Sequence, residues 1–233
     1  GTASGDVLSH DRGDLKFDQF TQELRIASSN PQFFEYVAGL YYYHTKEVDF
    51  FNRTVTACTA STLPTVGGLT PCAAGSSTYT TNEGNADFTT TLTSYSAFGQ
   101  GTLNFTDAFR GILGLRYTED KVSFDFDRRS TSLAAFPGVN PAFAATGSIK
   151  DHGWSGNAGL QYDVTDDIMA YGMYTRGYKG PAINVFFNML ARDTGRIDPE
   201  KSNAYEAGLK TRLFDRRLTL NLAAFYAKYD NYQ

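Results

Sequence analysis

The sequence predicts an all-β chain folded as an antiparallel, up-and-down β-barrel that crosses a membrane. Three observations carry this. Apolar residues recur at every second position over segments of about 10 to 15 residues, where strands of water-soluble proteins usually have about 5 or 6. Aromatic residues, 15% of the chain, gather at the ends of the apolar faces. Tight polar turns alternate with long connections. The mean hydropathy of -0.36 is that of a soluble protein, and no run of about 18 apolar residues offers a spanning helix. A barrel escapes both tests, because lipid-facing and lumen-facing residues alternate and average out. The net charge of -4 and pI of about 5.4 give no reason to expect nucleic acid as a partner.

Eight strands are expected, taken in chain order. Asp14 to Ser28 alternates imperfectly. From Phe34 to Lys46, the parity Phe34, Tyr36, Ala38, Leu40, Tyr42 is apolar with rings at both ends, the profile of a bilayer crossing. Its other parity runs Glu35, Val37, Gly39, Tyr41, Tyr43. Thr89 to Phe105 reads less cleanly. In the next segment Phe109, Gly111, Leu113, Leu115 and Tyr117 oppose Arg110, Ile112, Gly114 and Arg116. The cleanest strand sets Trp154, Gly156, Ala158, Leu160, Tyr162 and Val164 against Ser155, Asn157, Gly159, Gln161 and Asp163. Ile168 to Gly177 follows. Tyr205, Ala207, Leu209, Thr211 and Leu213 oppose Glu206, Gly208, Lys210 and Arg212, and Leu218, Leu220, Leu222, Ala224 and Tyr226 oppose Asn221 and Ala223.

The connections give the strands a direction. Ser29-Asn30-Pro31, Thr106-Asp107, Thr165-Asp166-Asp167 and Asp215-Arg216 are tight turns of Asn, Pro and Asp chemistry. Glu47–Phe88, Asp125–Asp151 and Tyr178–Ser202 are the long connections. Strict alternation places the short turns on one side of the membrane and the long loops on the other, as in outer-membrane barrels. The first and last strands then both end on the long-loop side. A bacterial barrel that begins and ends in the periplasm does not do this, so residues 1–233 are expected to be part of a larger barrel wall.

Several segments resemble the barrel of TonB-dependent outer-membrane receptors. "FDQFTQELRIAS" followed by "FFEYVAGLYYY" resembles a strand-turn-strand pair of that family, and "YGMYTRGYKGPAINV" a strand entering an external loop. "DPEKSNAYEAGLKTRLFDRRLTLNLAAFYAKYDNYQ" is the most specific stretch, with its Pro-Glu, Tyr-Glu-x-Gly-Leu-Lys and Asp-x-Arg-Leu elements in family order. The resemblance implies a barrel of about 22 strands filled by a plug domain that this segment lacks. It implies a monomeric active importer in the lipid of the bacterial outer membrane, a TonB-like energy transducer acting through the plug, and an external small ligand such as a ferric siderophore. It implies no covalent chemistry and no cofactor, so the chain is not expected to be an enzyme. The alternative is a small complete barrel serving as adhesin, scaffold or porin.

Individual residues carry paired readings. Glu35, Arg110, Arg116, Glu206, Lys210 and Arg212, with Asp163 and Arg176, are read as lumen-facing. They contact a plug, or they make a wet polar wall. Arg176, Tyr178 and Lys179 sit where a strand becomes an external loop, positioned for an anionic ligand or for lipid head groups. Phe186 and Phe187 form a mid-loop apolar pair that wants a partner, either ligand or another loop. Cys58 and Cys72 lie in the first long loop, and an oxidising cell surface favours a disulfide over two free thiols. Its closed loop of about 15 residues is worth roughly 3 kcal/mol. His10, His44 and His152 show no metal-ligand spacing, so no metal site is expected.

Overall fold

A computed structural model describes residues 8–29, 33–58, 64, 79–134 and 138–233. The elements are β1 Leu8–Ala27, β2 Phe34–Cys58, β3 Tyr79–Asn104, β4 Phe109–Ser130, β5 Phe143–Thr165, β6 Ile168–Lys179, β7 Ala182–Ile183, a 3-10 turn at Ala191–Asp193, β8 Arg196–Ile197, β9 Glu200–Leu213 and β10 Leu218–Asp230. Eight strands form one antiparallel sheet in the order β1-β2-β3-β4-β5-β6-β9-β10, and β7 and β8 pair as a separate two-stranded ribbon. The sheet is open: among the described residues β1 pairs only with β2, and β10 only with β9. No described helix is long and apolar enough to cross a membrane.

All eight expected strands are present, and the register keeps each alternating face intact. Phe34, Ala38, Leu40 and Tyr42 pair with Leu103, Gly99, Ala97 and Tyr95. Leu160 pairs with Gly111 and Gly172, and Leu209 with Ala170 and Leu222. Side-chain period is two, so these residues share the outward face while Gln161, Lys210 and Asn221 share the inward one. The outward side chains are largely exposed, for example Leu113 at 66% and Leu160 at 53%.

Two bands of rings bound this apolar face. The lower one, by the short turns, includes Phe34, Tyr36, Phe105, Phe109 and Tyr162, with centroids 5.3 Å apart for Phe105–Phe109 and 6.4 Å for Phe109–Tyr162. The upper one comprises Phe20, Tyr42, Tyr95, Tyr117, Trp154, Tyr174 and Tyr205, joined by contacts such as Tyr42–Tyr95 at 5.1 Å and Tyr117–Trp154 at 4.9 Å, and Tyr226 continues it as the cross-strand partner of Tyr205. The upper band does not follow one hydrogen-bonded row. It steps down two residues from Tyr95 to Tyr117, because Tyr95 pairs with Glu119, and four from Trp154 to Tyr174, because Tyr174 pairs with Ala158. The drift is about one residue per strand. At ~3.3 Å per residue and ~4.8 Å between strands, a level band then requires strands tilted by about 35°, within the range for barrels. On β5 the bands stand eight residues apart, Trp154 to Tyr162, or roughly 21 Å along the membrane normal at that tilt.

The long connections are shorter than the sequence suggested. β2 runs on to Cys58 and β3 begins at Tyr79; β4 reaches Ser130 and β5 begins at Phe143. The predicted strands ended where the outward face stopped being apolar, but pairing continues above that level. On β4 the outward parity changes at Tyr117 to Glu119, Lys121, Ser123, Asp125 and Asp127, while the inward parity changes from Arg110 and Arg116 to Val122, Phe124 and Phe126. Below the upper ring band the apolar face points outward; above it, inward. The cluster of Ala86, Phe124, Phe126, Phe187 and Met189 forms around that inversion, with Phe51, Phe88 and Phe143 against it.

Candidate functional site

The inward face below the upper ring band is polar and largely self-paired. Arg110 donates to both Asp163 oxygens, at 3.0 and 2.8 Å. Asn104 donates to Glu35 at 2.9 Å, and Tyr171 to Glu206 at 2.6 Å. Arg116 donates to Ser96 at 2.9 Å and lies 5.2 Å over the Tyr41 ring. Lys210 lies 5.6 Å over Tyr171. Arg212 braces the lower turn, donating to the Asp166 carbonyl at 2.7 Å beside Asp167. The charges expected to line the lumen are therefore on that face, each with a partner in the wall itself. Arg176 is the exception and a correction: it pairs in register with Gly156 and Asn203 on the outward parity, just above Tyr174.

Above the ring band, residues 180–199 fold back over the inward face as a strap. Phe187 and Met189 are its anchors, 8% and 0% exposed. The Phe187 ring lies 4.8 Å from that of Phe51. Gly84 makes room: a Cβ there would stand 2.9 Å from Phe187 Cζ, so the ring rests on backbone. Phe187 is thus not half of an exposed apolar pair. Its partner is the inner wall, and Phe186 alone stays exposed, at 37%. The strap's apolar side has no water-free surface of its own, and the inverted inner face of β3 and β4 supplies one.

Arg128 fixes the strap. It is 1% exposed and donates to the carbonyls of Phe187 at 2.8 Å and Met189 at 2.9 Å, and twice to Pro141 O at 2.9 and 2.7 Å. Burial lowers its pKa. The planar fork of its guanidinium serves three carbonyls in two loops at once. Asn140 and Asn188 add a second tie between those loops, with Asn140 Nδ2 donating to Asn188 O at 2.9 Å and Asn188 Nδ2 to Gly138 O at 3.1 Å.

The strap roots in an acidic corner. Asp120 is 7% exposed; burial raises its carboxyl pKa, Asp151 adds to the rise, and Ser94, Tyr178 and Arg116 oppose it. Tyr178 is pushed up as well, first by burial and then by Asp120 and Asp151. Arg196 joins Asp151 to Asp198, the latter at 2.8 Å. Beside this corner lies a cavity of about 410 Å³, lined by Tyr41, Tyr43, Leu92, Ser94, Asp120 and Lys179. It offers stacked rings, a hydroxyl, a carboxyl and an ammonium to a small molecule that reaches the mouth of the lumen.

Of the five residues expected to meet a ligand, Lys179 lines this cavity and Tyr178 borders it; Arg176, Phe186 and Phe187 do not. Tyr41, Tyr43, Asp120 and Arg128 were missed. The alternation Val122, Phe124, Phe126, Arg128 signalled the last of these, since period two continued beyond the predicted strand end. Cys72 and the side chain of Cys58 lie outside the described residues, and so does their pairing. Among the described residues no group of three or more His, Cys, Asp or Glu could hold a metal ion.

The family model described as TonB dependent receptor-like, β-barrel, matches residues 2–233. The chain is 30% identical over 212 residues to the pesticin receptor of Yersinia pestis, which covers 91% of the chain and 26% of that receptor. It is 30% identical over 133 residues to the metal-pseudopaline receptor of Pseudomonas aeruginosa, covering 57% of the chain and 17% of the relative. Among solved structures it resembles the ferric yersiniabactin uptake receptor of Yersinia pestis, with a TM-score of 0.71 at 24% identity over 96% of the chain and 30% of that structure. The siderophore receptor PiuA of Acinetobacter baumannii follows, with a TM-score of 0.60 at 16% identity over 91% of the chain and 32% of that structure. The chain therefore spans about a quarter of its pesticin-receptor relative and less of the other.

Proposed function

Because the chain belongs to the TonB-dependent receptor β-barrel family and lies in the bacterial outer membrane, we propose that it forms part of the wall of an active importer. The cargo is a scarce external ligand of the ferric-siderophore class, in keeping with the names its relatives carry. The observation that carries this reading is the strap, held over a cavity at the upper mouth of the polar face. A loop fastened by a buried arginine beside a cavity gives an external ligand a preformed seat at the mouth of the lumen.

In this reading the wall does no covalent chemistry and holds no cofactor. Residues 1–233 contribute about eight strands of a larger monomeric barrel, and the open edges of β1 and β10 pair with strands beyond them. A plug fills the lumen and transmits the pull of a TonB-like transducer. The in-wall pairing of Arg110, Glu206 and Lys210 leaves their remaining hydrogen-bonding capacity for such a plug. The small-barrel alternative has no support in an open sheet.

The test is uptake by iron-starved cells carrying the intact receptor, supplied with a panel of radiolabelled ferric siderophores. Accumulation of at least one chelate should require a functional energy transducer. Equal accumulation without the transducer, or none from any chelate tested, would sink the proposal.

A further inference from the structure

The inner wall meets the root of the strap at two facing carboxylates. Asp120 on β4 and Asp151 on β5 are cross-strand partners on the inward parity, and Ser94 of β3 flanks Asp120. Like charges directly opposite each other on a sheet are destabilising. The chain supplies a cation to one of the two. Arg196 of the strap pairs with Asp151 and, at 2.8 Å, with Asp198. Asp120 is 7% exposed and forms no ion pair among the described residues.

The other cations near this corner are engaged elsewhere. Arg116, four residues down β4, donates to Ser96 at 2.9 Å and covers the Tyr41 ring. Arg128 is turned to the carbonyls of the strap and of Pro141. Lys179 stands exposed at the edge of the cavity, with Glu200 as its cross-strand neighbour. Further up the inward face of β2, Glu47 and Asp49 add carboxylates. The mouth is therefore acidic around the cavity, where Asp120, Asp151, Asp198 and Glu200 stand against Arg196 and Lys179.

The cavity of about 410 Å³ beside Asp120 is furnished for a cation. Tyr41 and Tyr43 stand nearly parallel in its wall, with ring planes 12° apart and centroids at 6.5 Å. The face of a phenol ring is negative and attracts ammonium or guanidinium groups. Arg116 already uses one face of Tyr41 in this way, 5.2 Å from the centroid. Gly180 keeps room beside the carboxyl, since a Cβ there would collide with Asp120 Oδ2. Ring faces next to a buried carboxyl without a counter-ion match one class of group, a protonated amine or a guanidinium. A polyanionic chelate would meet carboxylates instead.

We propose that this cavity seats a cationic nitrogen of the imported chelate, on Asp120 and against the rings of Tyr41 and Tyr43, so that the receptor selects amine- or guanidinium-bearing chelates over polyanionic ones. The inference rests on the importer reading and deepens it by naming the charge of the cargo. Arg196 answers Asp151 from within the chain, and the cargo answers Asp120.

The test is equilibrium dialysis of the intact receptor in detergent against radioiron chelates. The probes are a linear ferric tris-hydroxamate ending in a free primary amine, the same chelate N-acetylated, and a ferric tris-catecholate. The two hydroxamates share a neutral metal centre and differ by one positive charge, whereas the catecholate is trianionic. The amine chelate should bind at least about 10-fold more tightly than its acetylated form, the difference that a hydrogen bond to a charged group makes. The catecholate should bind most weakly. Asp120→Asn should abolish the preference for the amine, while Asp125→Asn, which removes an outward carboxylate above the rings, should leave it intact. Equal binding of the amine and acetylated forms would overturn the proposal, as would tightest binding of the catecholate or an amine preference that survives Asp120→Asn. The comparison of the two hydroxamates on the unmodified receptor decides the matter even if the Asp120→Asn variant does not fold. Any of these contrary orders leaves the importer reading standing, whereas retention of none of the chelates removes both.

Discussion

Arg128 bears the largest consequence of any single residue here. A cation buried to 1% exposure without a carboxylate partner among the described residues is tolerated only because carbonyl oxygens replace its water. Arg128→Met fills similar volume but orphans the three carbonyls, at a cost of roughly 2–4 kcal/mol to strap docking. Amide hydrogen exchange should quicken in residues 180–199 while β5 and β6 stay protected; unaltered strap protection would show that Arg128 is not its fastener. Asp49 offers a second residue-scale test. Its carboxyl is pushed up to about 6, mainly by burial and then by Glu47. A raised acid pKa means that the folded state holds its proton longer. Its contribution is full below the ordinary value near 4 and is lost as pH rises through about 6. Protection of the upper β2–β3 ribbon should therefore decline between pH 4 and 6.5, and Asp49→Asn should flatten that part of the profile.

At the scale of elements, the strands obey two polarity rules with a switch between them. Spin labels at Leu113, Leu160 and Leu209 should be reached by lipid-soluble quenchers, while labels at Gln161 and Lys210 should not. Labels at Ser123 and Asp125, outward but above the rings, should be reached only by water-soluble ones. Equal quenching of the Leu160 and Gln161 labels would mean that the register is wrong by one residue. The same switch explains what the sequence concealed. Trp154 to Val164 was legible because a lipid-facing parity must be apolar throughout. The upper parts of β2 to β5 read as loops in the sequence because water covers their outward side, and Asp, Thr and Arg there carry no apolar period. The strap's seating was not legible at all. Phe187 meets Gly84 and Phe51 across more than a hundred residues of chain, and no local pattern encodes that contact.

For the whole molecule, the account turns on a wall that crosses a bilayer with short turns on one side and ribbons on the other. Within residues 1–233, among the described residues, β1 and β10 each pair on one side only, and hydrocarbon does not accept unpaired backbone groups. Residues 1–233 expressed alone should accordingly fail to give a heat-modifiable, detergent-stable monomer, and a compact monomer of that kind would revive the small closed barrel. The most direct test is cysteine labelling of the intact receptor in whole cells with a membrane-impermeant maleimide, in a Cys58→Ser, Cys72→Ser background. Single cysteines at Thr131 and Leu133, beyond the upper end of β4, should label rapidly. Cysteines at Asp107 and Asp166, in the short turns, should label only after the cells are broken open. Rapid labelling of the turn positions in intact cells, or protection of Thr131 and Leu133 together with them, would contradict the membrane-crossing wall.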